Sequence, residues 1–412
     1  MSTFNFRPFD PNSDSAPADR KTIRRHERVG FSGDSEGASR WYGGFAPQCM
    51  HFLESSMGEV LGSTGLLHDD AGGGLWCGGK PLSGTSVTSL VIEPAARGRG
   101  VAQEMVKAIV RDAASRKVAL CTLYPAVLEL YRKAGFELIG DYEVEQIDPA
   151  KISPSQKPEG VTMRPGSVAD LPAMQALRDQ TLTQQRANGA YQRDALSWQM
   201  LFQTTNIDPA EVLCFSQDGE LCGYLILDML HGSSGAGGRE IWVQDWCARD
   251  FNTRCAIVKA LASFGTVHKA IHYQDTATAR LAEALRPQPT YIKPVMREPL
   301  AARVIDPVQA LAGRGYRTAI SGELRLTFRD EVLDRNHDLA LAVADGQGKV
   351  GPVKRAGMPK LSMPIGTLGP LLFGYKSANA LAELGWLDGA QDALDLADVL
   401  FSAERSVTGD FY

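Results

Sequence analysis

The run Leu90-Val91-Ile92-Glu93-Pro94-Ala95-Ala96-Arg97-Gly98-Arg99-Gly100-Val101-Ala102 joins a β-prone segment to a periodic apolar one through a turn of arginine and glycine. The first turn of a helix has N–H groups with no intrahelical partner, and the helix dipole places partial positive charge there. Glycine lets a backbone approach an anion closely, so Gly98 and Gly100 read as a cradle for a phosphate or pyrophosphate. Val101, Met105, Ile109 and Val110 give the helix that follows its buried stripe.

Three nucleotide readings compete for this loop. A dinucleotide fingerprint needs G-x-G-x-x-G, but Gln103 stands where the third glycine belongs. A phosphate-binding loop needs G-x-x-x-x-G-K-[ST], and no such run occurs. What is left, Arg97-x-x-Gly100-x-Ala102, resembles the R/Q-x-x-G-x-G/A signature of the GNAT acyltransferase superfamily, whose loop holds the pyrophosphate of acetyl-coenzyme A. An ordinary basic βα turn is the plain alternative. The resemblance implies that Leu90, Val91, Ile92, Arg97, Gly98, Arg99, Gly100, Val101, Ala102 and Gln103 contact the coenzyme.

Acetyl transfer from a thioester to an amine needs little. The amine must lose a proton, the oxyanion must be stabilised, and the leaving thiolate must be protonated. A phenol near the sulfur can supply that last proton. Tyr131, in LELYRKAGF, ends a short helix ahead of a Gly-Phe strand start. This resembles the Y-x-x-x-G-[FY] element in which GNAT enzymes place a general-acid tyrosine and grip the pantetheine end, and there Ala126 and Val127 are the expected contacts. Tyr124 is the local rival, at a strand end before Pro125. His26, His51 and His68 lie in no recognisable constellation and read as surface or packing residues, and Glu93 reads as solvated.

Composition narrows the classes. The 412 residues exceed one ordinary core, and 44% hydrophobic with 22% charged residues fits a soluble globular protein. A net charge of −5 gives no bias toward nucleic acid. No apolar run approaches the roughly 18–20 residues of a membrane span, and the N-terminus lacks a signal-peptide core. The seven cysteines show no C-x-x-C, so reduced buried thiols are expected, with no metal and a cytoplasmic location.

Along the chain, residues 20–31 read as a basic helix with a solvated charged face, followed by strands near 50–55 and 57–67. AGGGLWCGGK reads as a hairpin connection. A strand over 85–93, a helix over 100–115, a strand over 118–123, a short helix over 126–134 and a strand over 136–147 complete a first unit. DPAKISPSQKPEG (148–160) marks a boundary. A second unit repeats the order with strands at 211–216, 221–230 and 239–247 and a helix over 253–264. Its loop, Ala248-Arg249-Asp250-Phe251-Asn252-Thr253-Arg254, has no glycine and carries an aspartate where a phosphate would sit. A pseudo-duplicate that does not hold coenzyme A is the expectation. From about 298, ELRLTFRDEV, LALAVAD, GKVGPVKRA and LSMPIGTLGPLLFG read as successive antiparallel strands, and SANALAELGWLD and GAQDALDLADVLFS as two helices.

The ordered set GGKPLSGTSVTSLVIEPAARGRGVA, YPAVLELYRKAGF and LAARVIDPVQALAGRGY resembles the Eis (enhanced intracellular survival) family. The resemblance implies an α/β (α+β) chain of tandem GNAT folds, with a mixed and mostly antiparallel sheet, followed by a sterol-carrier-like domain. The corresponding units are a catalytic domain at 1–155, a degenerate second GNAT-like domain at 156–298 and a C-terminal domain at 299–412. It also implies that the C-terminal carboxylate, here on the aromatic Tyr412, enters the first domain as general base. An α-carboxylate has a reference pKa of about 3.3–3.7 and is ionised at neutral pH. Asp410 would add negative charge toward a cationic amine. The acceptor expected is a small-molecule or lysine-like amine, with no nucleic-acid or membrane partner, and the family implies a homohexamer. A non-catalytic acyl-coenzyme A or lipid carrier is the alternative.

Overall fold

The structure is a computed structural model that describes residues 4–31, 48–68, 73–202, 210–229, 239–286 and 292–411. The first unit comprises β1 (Asn5–Pro8), α1 (Ala16–Phe31), β2 (Met50–Glu54), β3 (Val60–His68), the hairpin β4 (Leu75–Cys77) and β5 (Lys80–Leu82), and β6 (Gly84–Ile92). Then come α2 (Val101–Ser115), β7 (Leu120–Leu123), α3 (Leu128–Arg132) and β8 (Glu137–Ile147). Strand β2 shows how the layers are chosen. Successive side chains point to opposite faces, so Met50 and Phe52 pack with Ile23 of α1 while Leu53 packs with the α2 cluster. Helix α2 turns Val101, Met105, Val106, Ile109, Val110 and Ala113 inward, the 3.6-residue period of a one-sided helix.

The second unit comprises β9 (Val161–Pro165), α4 (Leu171–Gln184), α5 (Ala195–Leu201), β10 (Glu211–Gln217), β11 (Glu220–Asp228), β12 (Arg239–Ala248), α6 (Phe251–Ser263) and β13 (His268–Gln274). Strand β14 (Lys293–Val304) follows. Among the described residues one sheet of twelve strands runs through both units, in the order β1-β2-β3-β6-β7-β14-β8-β13-β12-β11-β10-β9. Only β6/β7 and β12/β13 pair in parallel within it. Strand β14 lies between β7 and β8 of the first unit. The boundary expected at 298/299 therefore falls within one continuous strand. Leu300, Ala301, Ala302 and Val304 are fully buried there, and Arg303 pairs with Asp330 at 2.6 Å in a buried contact with the third unit.

The third unit comprises α7 (Pro307–Gly313), β15 (Gly322–Asp330), β16 (Arg335–Ala344), β17 (Gln347–Pro352), β18 (Lys360–Pro364), α8 (Ile365–Leu372), α9 (Ala378–Glu383), β19 (Asp388–Gly389) and α10 (Gln391–Leu400). Its sheet order is β17-β16-β15-β18-β19.

Two expectations for this unit change. Strand β18 runs parallel to β15, and LSMPIGTLGPLLFG is a strand only as far as Pro364. The rest is α8, a helix buried from Ile365 to Leu372 except at half-buried Gly366. A continuous apolar run carries no period that separates buried helix from buried strand. Helix α1 begins earlier than expected, at Ala16, and its charges are not uniformly solvated, since His26 and Glu27 are buried. Short helix α5 carries no long apolar period, and only its Asp194 cap, which accepts from the Ser197 N–H, marks it. No helix among the described residues is long and apolar enough to cross a membrane.

Candidate active site

The site begins where two parallel strands part. Strands β6 and β7 pair only from Gly84 with Leu120 to Val87 with Leu123, yet β6 runs on to Ile92. The divergence follows a bulge. Ser63 faces Val91 and Gly65 faces Thr88, so Ser89 and Leu90 stand opposite the single residue Thr64, and Ser89 takes φ +49°. A bulge bends the strand and raises its twist. Beyond it Leu90, Val91 and Ile92 keep β3 on one edge and have no β7 partner on the other. That edge offers backbone N–H and C=O groups to an extended amide-bearing arm, as an added strand would use them.

The cradle closes the wide end of this wedge. Gly98 and Gly100 take φ +74° and +78°, a region that side chains with a Cβ avoid. A Cβ built at either position meets nothing within 4 Å. Backbone conformation, rather than crowding by the protein, calls for glycine here, and the space above the loop is open. Gly100 is the left-handed N-cap of α2 and caps it with no side chain, while its carbonyl accepts from the Gln103 and Glu104 N–H groups. Arg97 is tied down by Nε donating to the Ile92 carbonyl at 3.2 Å. Arg99 is exposed and, with Gly100, Gln103 and Arg111, lines a cleft of about 830 Å³ along α2. Val101 is buried and Ala102 half-buried. An open, glycine-formed, cationic helix start fits a pyrophosphate.

Tyr131 packs in the cluster that contains Val101 and Met105 of α2 and Leu123 of β7. Burial pushes its phenol up to about 12, so it stays protonated at neutral pH. Ala126 and Val127 are exposed ahead of α3, with Val127 as its N-cap residue. The rival Tyr124 is committed elsewhere: its hydroxyl donates to the Asp410 carbonyl at 2.5 Å.

That contact belongs to the chain's last described segment, which is tied to both the first and the second unit. Val407 bridges in parallel with Asp141 of β8, its N–H donates to the Asn188 carbonyl, and the Thr408 N–H donates to the Asp141 carbonyl. Phe411 sets its ring 4.6 Å from Tyr124 and 5.5 Å from Tyr142. Tyr412 lies outside the described residues. The expectation for Asp410 is corrected. Its carboxylate accepts from Arg193 Nε at 2.6 Å and lies 3.5 Å from Arg178, so its charge is spent on two arginines rather than offered to an amine.

Arg193 was invisible as a functional residue in the sequence, because a lone arginine in a loop carries no motif. It is fully enclosed, and its Nη1 donates to Asp245 of β12 at 2.5 Å. Tyr224 donates to the same carboxylate at 2.8 Å. Burial pulls the Arg193 guanidinium down, but Asp245 and Asp410 outweigh it and hold it well above the ordinary arginine value.

Near the cradle, Glu93 is not solvated as expected. It accepts from Arg25 and pairs with His26 Nε2 at 2.7 Å, while His26 Nδ1 meets Ser63 Oγ at 2.6 Å. His26 is thus a buried, hydrogen-bonded packing residue, and burial takes it below the ordinary histidine value despite Glu93.

A cavity of about 950 Å³ lies between the α3–β8 turn and the third unit, against Phe328, His337 and Trp386.

Residues 75–139 match the acetyltransferase (GNAT) domain model, and residues 307–409 match the sterol carrier protein domain model. The fold is similar over 100% of both chains to a GCN5-related N-acetyltransferase from Anabaena variabilis, with a TM-score of 0.87 at 19% identity. A GCN5-related N-acetyltransferase from Kribbella flavida gives 0.80 at 18%, covering 100% of this chain and 99% of its own. Eis1 from Mycobacterium abscessus gives 0.74 at 16% over 100% of both chains. No curated protein matches the sequence. At these identities the likeness is one of fold. The chain therefore has the mixed α/β architecture of an Eis-like GNAT acyltransferase, with a GNAT domain near its N-terminus and a sterol-carrier-type domain at its C-terminus.

Proposed function

We propose that this chain transfers an acetyl group from acetyl-coenzyme A to a primary amine, by direct attack in a ternary complex within the unit at 1–155. The observation that carries the reading is a convergence. The unpaired edge of β6 and the start of α2 pack, through Leu90 and Val101, in one cluster with Leu123 at the end of β7, and the C-terminal segment packs on the neighbouring Tyr124 through Phe411. When bound, the coenzyme supplies an activated acyl thioester. Leu90 to Ile92 pair with its amide-bearing arm, helped by Ala126 and Val127. Arg97, Gly98, Arg99, Gly100, Val101, Ala102 and Gln103 hold its pyrophosphate. Tyr131 donates a proton to the departing sulfur. The C-terminal carboxylate of Tyr412 takes the proton from the attacking amine, and the packing of Phe411 against Tyr124 and Tyr142 supports its delivery. The units at 156–298 and 299–412 hold that terminus in place. By the same resemblance we take the protein to act as a cytoplasmic homohexamer on small-molecule or lysine-like amines, which light scattering and an amine panel test directly.

The test is thiol release from acetyl-coenzyme A across that panel, alongside calorimetric titration of the coenzyme. Tyr131→Phe is expected to lower turnover about 10²–10⁴-fold, the range for a lost general acid, with coenzyme binding kept. Extending the chain past Tyr412 removes the carboxylate from its place and is expected to be as damaging. Full activity in the extended chain would overturn the carboxylate role. The carrier reading draws on the cavity beside the third unit, and it prevails if coenzyme binds but no amine releases thiol.

A further inference from the structure

We infer that His51, His68 and Asp112 form a site for a divalent first-row transition ion such as Zn²⁺, on the α2 face of the first unit. The three come from separate elements, β2, the end of β3 and the later turns of α2. One ligand atom from each lies within 4.8 Å of the other two.

The hydrogen bonding of the two imidazoles points to a ligand. His51 Nδ1 sits 3.1 Å from the Cys49 carbonyl, an atom that only accepts, so Nδ1 carries the proton and Nε2 keeps its lone pair. His68 Nδ1 sits 3.4 Å from Thr85 Oγ1. In both rings Nε2 is buried and has no hydrogen-bond partner. His51 itself is 3% exposed, and the rings meet edge to face at 5.7 Å with Phe6 stacked on His51. Buried polar atoms are almost always paired, so two orphaned nitrogens side by side need an explanation. Metal-binding histidines show this pattern, with one ring nitrogen fixed by a carbonyl or hydroxyl and the other turned to the ion.

Two imidazoles and one carboxylate suit Zn²⁺ and its neighbours and do not suit Mg²⁺ or Ca²⁺, which prefer oxygen. Asp112 now accepts from Arg116 Nε at 2.7 Å, while its other oxygen is 3.4 Å from Arg116. The Arg116 side chain is 38% exposed, so giving up this pair to an ion leaves its guanidinium in water. Asp112 lies roughly 16 Å along the helix from Val101 at 1.5 Å per residue, so the ion sits well away from the helix start. It would pin the far half of the cradle helix to β2 and β3. The inference stands whatever the chain acetylates.

The experiment uses the full chain, stripped with chelator and titrated with Zn²⁺ by calorimetry, then with Co²⁺ as a spectroscopic probe. One equivalent per chain is expected, with a Co²⁺ ligand-field spectrum and no thiolate charge-transfer band. Asp112→Asn and His68→Gln are each expected to weaken binding about tenfold or more. Both residues are only partly buried, so these variants keep the fold in reach where His51→Gln risks it, and circular dichroism checks that they do. Absence of saturable binding, a thiolate band, or unchanged affinity in both folded variants would overturn the site.

Discussion

Helix α2 starts at Gly100, which has a left-handed backbone and nothing to cap the first turn, whereas helix α6 starts at Asp250, whose carboxylate accepts from the Thr253 N–H and hydroxyl, each at 2.8 Å. The two helices follow comparable strands. Strand β6 parts from β7 after Val87, and β12 parts from β13 after Trp242. What fills each parting differs. In the first unit the edge beyond the bulge has no strand partner on its β7 side. In the second, Gln274 Nε2 donates to the Gln244 carbonyl at 2.9 Å, and the buried Trp246 donates to the Gln274 carbonyl at 2.8 Å. A negative side chain sits at the helix start and two side chains fill the parting. The same backbone plan thus gives an open wedge in one unit and a closed wedge in the other, and side chains make the difference. The closed copy has another task, because Asp245 of its β12 and Arg193 clamp the C-terminal segment.

Arg193→Met attacks that task and should have the largest effect on stability. Removing one member of a buried charge network leaves Asp245 and Asp410 without their shared partner, a loss of about 3–5 kcal/mol. The variant should melt well below the native chain while keeping affinity for acetyl-coenzyme A. Burial pushes Asp245 up, but Arg193 outweighs it and holds the carboxyl below the usual range. The stability Asp245 contributes is therefore complete above the unfolded value of about 3.9 and is lost as pH falls through the lower folded value. In Arg193→Met the burial effect is opposed only by Arg178 and the Tyr224 hydroxyl, so the loss should move to higher pH. Thermal melts between pH 3 and 8 that superimpose on those of the native chain would break the comparison.

Gly100→Asp sharpens it from the other side by giving α2 the cap of α6. A carboxylate about 5 Å from a pyrophosphate charge costs roughly 3 kcal/mol at an effective dielectric of 20, or roughly 100-fold in affinity. Gly100→Ala separates charge from strain. No protein atom within 4 Å opposes its Cβ, so the free chain should lose about 1–2 kcal/mol from the left-handed backbone and its coenzyme affinity should fall less. Calorimetry that finds equal losses for the two variants would make the loop's shape, rather than its charge, what holds the coenzyme.

Local pattern made much of the first unit legible. Strand, glycine turn and amphipathic helix were readable at 84–115 because the period of α2 and the glycines needed for positive φ are written in adjacent residues. The hairpin at Gly78-Gly79 and the aspartate at 250 were readable for the same reason. The interleaving of β14 between β7 and β8 was not, since strand partners far apart in sequence leave no local mark. Helix α8 was missed because a helix buried nearly all round has no polar face to set its period. The clamp on Asp410 and the grouping of His51, His68 and Asp112 depend on side chains brought together only by tertiary packing. Cysteine spacing, the sign used to judge metal sites, could not show the second of these.

Asp250→Ala carries the smallest expected effect and asks the most specific question about the closed wedge. An N-cap carboxylate contributes about 0.5–2 kcal/mol, so the melting point should fall only slightly. Burial pushes Asp250 up, but the Thr253 N–H and hydroxyl, followed by Arg249, bring it below the ordinary range. The cap's contribution is present above the usual carboxylate value and lost as pH falls through the lower one, so variant and native melts should converge in acid. The decisive reading is the number of coenzyme equivalents bound at neutral pH. Without the aspartate the α6 terminus offers free N–H groups to an anion, yet Trp246 and Gln274 still fill the slot between β12 and β13. One equivalent is therefore expected, as in the native chain. A second equivalent would mean that one carboxylate had kept the coenzyme out, and that the two wedges differ by a cap rather than by their walls.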